Sequence, residues 1–280
     1  MLIMIFRWPQ TLREKVQDYL TIGWVNKFPI LQSITPCALA ARILSSVLGR
    51  RVSDYVYIDF ASGSGGPTPY FEKHLNQQLR DEGKEEVKFV LSDISPNLQA
   101  WSAAAKKSEN LSYIEQSVDA TAAPSAKAML KDVPGASGKK IMRLFSLAFH
   151  HFDDDMAADV LQNTIKTSDG FCIFELQSRH LSSFLLVSLL WPLAMVCTPF
   201  YFPHLPGHLF FTYLVPLVPF VWVFDGYISC LRTRQPEEIL ALARQKIPED
   251  ELHKWDFKAG AGCHMWPFGW LYWFIATKRA

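Results

Sequence analysis

The chain has 280 residues, a formal net charge of +1 and 49% hydrophobic residues. Its charge is spread unevenly. Leu181 to Leu231 is a 51-residue stretch with one charged residue, Asp225, while the other 229 residues carry the remaining 54 charges, about 24%, an ordinary share for a soluble domain. A disordered chain, a collagen-like chain and a small disulfide scaffold are excluded. The balance of 28 Lys and Arg against 27 Asp and Glu argues against a nucleic-acid binder, which clusters cations against phosphates.

The length allows one large domain or two small ones. The five cysteines, at 37, 172, 197, 230 and 263, are odd in number and widely spaced, with no CxxC pair. They suit neither a zinc site nor a disulfide framework and read as incidental thiols in a reducing compartment, with no metal site. Met1 to Phe6 is apolar but too short for a signal-peptide core, and reads as a lead-in packing on the fold.

Residues 10 to 50 read as helical, with Thr11 and Glu14 spaced as a capping box and Gly49 as a stop. Pro29 and Pro36 divide this part. A strand begins near Tyr55 and ends at Asp59, before the small residues Ala61-Ser62-Gly63-Ser64-Gly65-Gly66. Helix follows Pro67 to about Arg80. Val87 to Leu91 is a strand ending at Asp93, and Pro96 opens a helix to about Lys107. A short strand begins at Tyr113-Ile114 and closes near Asp119. Residues 121 to 140 mix helix with the loop Pro134 to Gly138. Ile141 to Phe145 is strand, Asp153 to Lys166 helix, and Phe171 to Leu176 strand. Helix runs from Pro236 to about Lys246. Trp255 to Ala259 and Leu271 to Thr277 read as two closing strands around a loop, 260 to 269. Continuous apolar strands alternating with helices predict an α/β fold with a mostly parallel sheet covered on both faces.

The glycine-rich turn after the first strand lets backbone approach a ligand, with free N–H groups at the following helix. A dinucleotide fingerprint requires a third glycine where Thr68 stands, so that pattern fails. The run Asp59-Phe60-Ala61-Ser62-Gly63-Ser64-Gly65-Gly66 resembles instead the first motif of the class I S-adenosylmethionine (SAM)-dependent methyltransferases, an acid followed by GxGxG, with Ala61 in place of the first glycine. Asp93 and Asp119 fall at the next two strand ends. Phe149-His150-His151-Phe152-Asp153-Asp154 resembles a His-His-hydrophobic-Asp stretch of many small-molecule methyltransferases. The likeness covers about 54 to 179 and resumes loosely from 226 to 280.

The resemblance implies a Rossmann-like, seven-stranded, mostly parallel sheet and SAM as cofactor. It implies that the loop from Asp59 through Ala61, Ser62, Gly63 and Gly65 cradles the amino-acid end of SAM. Asp93 with Ile94 then takes the ribose hydroxyls, and Asp119 with Ala120 the adenine amino group. SAM brings an activated methyl group, so the protein orients a nucleophile and excludes water. A general base is needed when the acceptor arrives protonated, as an alcohol does. His151 is the first candidate and His150 the second, since neutral imidazole accepts a proton near pH 7. Phe149 and Glu175 are candidate substrate contacts.

Leu181 to Phe202 and Leu205 to Phe224 are uncharged runs of 22 and 20 residues, joined at Pro203-His204. The first, if helical, spans about 33 Å, enough for a bilayer core. Arg179 precedes the pair, and Arg232 and Arg234 follow it, as in a hairpin with both ends cytoplasmic. Since strands on either side join one sheet, the number of crossings must be even. Prolines 192, 199, 206, 216 and 219 oppose clean spans, so a shallow dip into one leaflet and a soluble cap over the site stay open. All three point to an apolar substrate.

The expected organisation is an N-terminal helical cap (1–50), a SAM-binding core (51–180), a helical hairpin insert (181–231) and a closing part (232–280). The expected function is methyl transfer to O, N or C of a hydrophobic small molecule, a lipid or natural-product intermediate in small-molecule biosynthesis or secondary metabolism. No nucleic-acid partner is expected, and the core is placed on the cytoplasmic side of a membrane, with a soluble cytoplasmic protein as the alternative. The other functions weighed are an NAD(P)-dependent oxidoreductase and a non-catalytic membrane-associated scaffold.

Overall fold

A computed structural model describes residues 10–27, 32–131 and 133–279. The apolar lead-in at Met1–Phe6 lies outside them, as do the side chains of the Thr11–Glu14 pair.

Seven strands form one sheet: β1 (Tyr55–Phe60), β2 (Phe89–Ser92), β3 (Leu111–Tyr113), β4 (Lys140–Ser146), β5 (Gly170–Glu175), β6 (Trp255–Met265) and β7 (Gly269–Lys278). Their order is β3-β2-β1-β4-β5-β7-β6. The first five run parallel, whereas β7 pairs antiparallel with both β5 and β6. Every residue of β1, β2 and β5 is buried, as a strand covered on both faces requires.

The helices are α1 (Gln10–Val25), α2 (Pro36–Leu48), α3 (Thr68–Asp81), α4 (Leu98–Ala105), a single turn α5 (Ala126–Met129), α6 (Asp154–Thr167), α7 (Leu181–Tyr201), a single turn α8 (Pro206–Leu209), α9 (Leu217–Arg232), α10 (Pro236–Lys246) and a single turn α11 (Glu249–Leu252). Several starts have a local cause. The Thr35 hydroxyl accepts from Ala38 N, with Pro36 in the first turn of α2. Asp153 accepts from Met156 N at 2.9 Å, and Asp154 and Asp155 face the positive end of α6. α4 is capped by Asn97, not opened by Pro96, because the Asn97 side-chain Oδ1 accepts from Ala100 N.

One face of the sheet packs on α6 and α10 through residues such as Ile58, Val160, Leu161, Ile239 and Leu242. The other packs on α2, α3 and Trp101 of α4. A third, small core joins Tyr19 of α1 to Ala194 of α7 and Val218, Val221 and Trp222 of α9.

The insert folds as a helical hairpin, but unequally. α7 is one 21-residue helix, about 32 Å long, despite Pro192 and Pro199 inside it. The second run is not one helix. It breaks after Leu214, where Pro216 precedes α9, and the two pieces bend by 73°. α9 is about 24 Å long, so the second arm falls short of the straight crossing that 20 uncharged residues predict. The expected Pro203-His204 turn is present. At the closing hairpin the predicted loop from Gly260 is strand as far as Met265, paired with β7 and with a register shift between Cys263 and Met265.

Candidate active site

Strand order reverses between β1 and β4, and the carboxyl ends of the strands at such a point open a crevice. The glycine-rich turn lies there and is tightly held. Ser62 N and Oγ both donate to Ser92 O, at 3.2 and 3.0 Å. Gly65 N donates to Ser62 O, and the Trp101 indole N–H donates to Gly63 O at 2.9 Å. Gly65 has φ +100°, a conformation that favours glycine. Ala61 has φ 55°, so the alanine in the first glycine's place keeps the left-handed turn.

Asp93 follows β2. Its Oδ2 accepts from Gly63 N and its Oδ1 from Ser95 N, both at 2.8 Å. Each oxygen has a second lone-pair direction left for a ligand. Asp119 lies six residues beyond β3, which ends at Tyr113 instead of near Asp119. Val118 N donates to Asp93 O and so brings Asp119 to the same rim. Asp119 Oδ1 accepts from Thr121 N and Oγ1.

Asp59 sits behind the turn. It is 2% exposed, its Oδ2 accepts from Thr68 Oγ1 at 2.6 Å, and its Oδ1 has no partner among the described residues. Burial pushes its carboxyl up to about 8, against the Thr68 bond, which lowers it. Thr68, the residue that breaks the dinucleotide pattern, thus anchors the first acid.

A cavity of about 790 Å³ begins at this turn. Of the candidate cofactor residues, Ala61, Ser62, Gly63, Asp93, Ile94, Asp119 and Ala120 line it, while Gly65 and Asp59 support the turn from outside. The cavity continues past Ser146, His150 and His151 and ends between α7, α9 and α1, against Leu190, Leu193, Trp24 and Trp222.

The two histidines stand on a 3₁₀ turn, Phe149–His151. His150 is buried. Its Nδ1 meets Glu175 Oε2 at 2.8 Å, and its Nε2 meets Ser229 Oγ of α9 at 3.1 Å. Both ring nitrogens are thus engaged, Nδ1 with the carboxylate and Nε2 with the Ser229 hydroxyl. Gln177 Nε2 also donates to Glu175 Oε2. The His151 ring, 4.2 Å from that of His150, makes no hydrogen bond among the described residues. Burial, with His150 and Arg232 nearby, holds its pKa well below the ordinary imidazole value, so it is neutral with a lone pair available. Neither candidate substrate residue is among those that line the cavity. Phe149 is 2% exposed and stacks edge-on against Phe145 and Phe152 in the core, because the 3₁₀ turn directs it inward. Glu175 is occupied by His150 and does not line the cavity.

Two arginines at the end of the insert, Arg232 and Arg234, fasten it to this turn, and a third, Arg179, ties the start of the insert to α10. Arg232 donates to His150 O (2.7 Å), His151 O (3.0 Å) and Phe152 O (3.1 Å). Arg234 pairs with Asp154, and Arg179 forks onto Glu238. Residues that read as flanking charges of a membrane hairpin are therefore also bonded within the protein. That Ser229, Gln177 and Arg232 meet the histidine turn has no local sequence signal, since Ser229 lies 79 residues from His150.

The strand order, with an antiparallel seventh strand between the fifth and sixth, is that of the class I SAM-dependent methyltransferase fold. No known protein-family profile matches the chain, and neither does a curated protein. Among solved structures it is similar to human N-acetylserotonin methyltransferase in complex with SAM, at 13% identity and a TM-score of 0.49, covering 99% of this chain and 58% of that one. It is also similar to magnesium protoporphyrin IX methyltransferase from Synechocystis PCC 6803 with bound SAM, at 9% identity and 0.44, over 99% and 88%. A third is an O-methyltransferase family protein from Burkholderia thailandensis, at 11% and 0.41, over 88% and 58%. The chain thus spans about three fifths of the first and third of these proteins. The fold assignment rests on strand order and register.

Proposed function

We propose that this chain is a SAM-dependent methyltransferase that moves a methyl group to O, N or C of a hydrophobic small molecule. The observation that carries this reading is the single cavity that joins the glycine-rich turn and its two acids to the apolar arms of the insert. The residues present fit SAM. The turn offers backbone at Ala61–Ser64, Asp93 retains acceptor directions, and Asp119 Oδ2 is uncommitted. SAM, when bound, supplies a methyl group already activated on a sulfonium. The chain's own residues hold the acceptor in line, exclude water with the apolar arms, and take up a proton. His151 is the base we assign, neutral and open to the cavity, while His150 is held by Glu175 and Ser229 and orients the turn.

The insert suits a lipid surface. Fourteen of the eighteen exposed large hydrophobic side chains of the described residues lie in it, Phe200 at 78% and Leu214 at 73% among them. With its second arm bent by 73°, it fits a re-entrant dip into one leaflet, with the core on the cytoplasmic side.

Calorimetry with SAM tests the first part. Wild type is expected to bind, and Asp93→Ala to lose about a hundredfold, as removal of two charge-assisted acceptors implies. No binding by wild type sinks the methyltransferase reading. Carbonate extraction tests the second, for a protein released into the supernatant is not embedded.

A further inference from the structure

The apolar half of the cavity holds one carboxylate. Asp225 lies on α9, one helical turn from Ser229, whose hydroxyl meets His150. Along the same wall stand Val187, Val221, Trp222 and Phe224. The Asp225 carboxylate accepts no hydrogen bond among the described residues, and the cations at the base of the hairpin are committed elsewhere: Arg232 to three carbonyls, Arg179 to Glu238, Arg234 to Asp154.

An ionised carboxylate against an apolar wall is unfavourable unless a counter-charge meets it. Among the described residues the one basic group acting on it is His150, and the ring nitrogens of His150 are already bonded. Trp222 and Phe224 line the same cavity as Asp225, and aromatic rings there favour a cation over a neutral hydroxyl. The far end of the cavity indicates where such a ligand enters. Phe220 and Phe224 line the cavity and are also 49% and 39% exposed, so its wall reaches the outer face of the hairpin. The cofactor end reaches solvent separately at Ile94, which is 57% exposed.

We infer that the acceptor is a cationic amphiphile, an apolar body bearing a basic amine, whose ammonium pairs with Asp225 while the body lies between α7 and α9. Its role as acceptor rests on the methyltransferase reading above, whereas its recognition rests on Asp225 and the cavity. Entry is from the hairpin side, so cofactor and acceptor reach the histidines from opposite ends.

The test uses the full chain in phosphatidylcholine nanodiscs, titrated with 11-bromoundecylamine, 11-bromoundecanol and 11-bromoundecanoate. Bromine quenches tryptophan on contact, and Trp222→Phe assigns the cavity signal. The amine is expected to quench saturably at concentrations at least tenfold below the alcohol and the carboxylate, and Asp225→Asn to abolish that preference while melting as wild type does. Equal quenching by the three, a tighter alcohol or carboxylate, or a preference that survives in Asp225→Asn overturns the inference. SAM calorimetry on the same samples is expected to agree within twofold between wild type and Asp225→Asn. A loss in the variant assigns Asp225 to the cofactor's own cation and also overturns it. Failure of wild type to bind SAM would remove the methyltransferase reading while leaving an observed amine preference intact.

Discussion

Arg232 is the most direct mechanical link between insert and site. Its guanidinium donates three bonds, to the carbonyls of His150, His151 and Phe152, and so fixes the turn that carries both imidazoles. Arg232→Met keeps the apolar stem and removes all three. Charge-assisted bonds contribute about 1.5–3 kcal/mol each when buried. Here the groups are partly buried and water replaces some of the loss, so about 1 kcal/mol each, or roughly 3 kcal/mol in all, is expected. For a chain of this size that lowers Tm by about 6 °C. The turn also loosens, and a shift of about 1 Å in a reacting group costs on the order of a hundredfold in rate. Scanning fluorimetry reads the first effect. Transfer of labelled methyl from SAM into a hydrophobic extract reads the second, with SAM affinity as the control expected to stay within about twofold, an effect below 0.5 kcal/mol. An Arg232→Met protein that melts within about 1 °C of wild type and transfers methyl at the same rate would refute the coupling.

Further outcomes follow from other contacts. A Cβ on Gly226 would lie 2.9 Å from Val187 Cγ1, so Gly226→Ala is expected to cost about 1–3 kcal/mol by forcing α7 and α9 apart, and Val187→Ala in the same chain to restore most of it, measured by denaturant melts. Asp59 ionises at about 8 when folded and near 3.8 when unfolded. Its folded form therefore holds the extra proton, and stability falls as pH rises between those values, by up to about 1.4 kcal/mol per pH unit. Asp59→Asn should flatten that part of the stability–pH curve, and an unchanged slope would contradict the assignment. With His151 already neutral, methyl transfer should hold steady from pH 7 to pH 6, so a loss centred near the ordinary imidazole value of about 6.5 would exclude His151 as the base.

Much of this site was legible because it is local. A strand end, a run of small residues and an acid follow one another within a few positions at Asp59–Gly66 and at Leu91–Asp93, and the backbone does there what the composition implies. What was not legible depends on residues far apart. Nothing around Phe149 says that it turns into the core, because that follows from a 3₁₀ turn set by Arg232, some eighty residues on. The β6 extension was hidden by Gly260 and Gly262, which weaken a strand on their own. It forms because the Trp273 indole covers Gly260, where a Cβ would meet the ring at 2.7 Å. Pro216 was visible as a breaker, but a breaker alone does not set the size of the bend, 73°.

One bond has a consequence in time. The Tyr19 hydroxyl in α1 bonds Thr198 in α7 and, at 3.2 Å, Thr212 in the second arm of the hairpin, and its ring packs 5.2 Å from that of Trp222. These partners are made some 180 residues after it. At about 5–20 residues per second, α1 waits roughly 10–35 s on the ribosome before the surface it covers exists. The wall that Tyr19 forms with α7 and α9 is therefore completed late, and until then the apolar side chains of α1 that it buries must be kept from other partners.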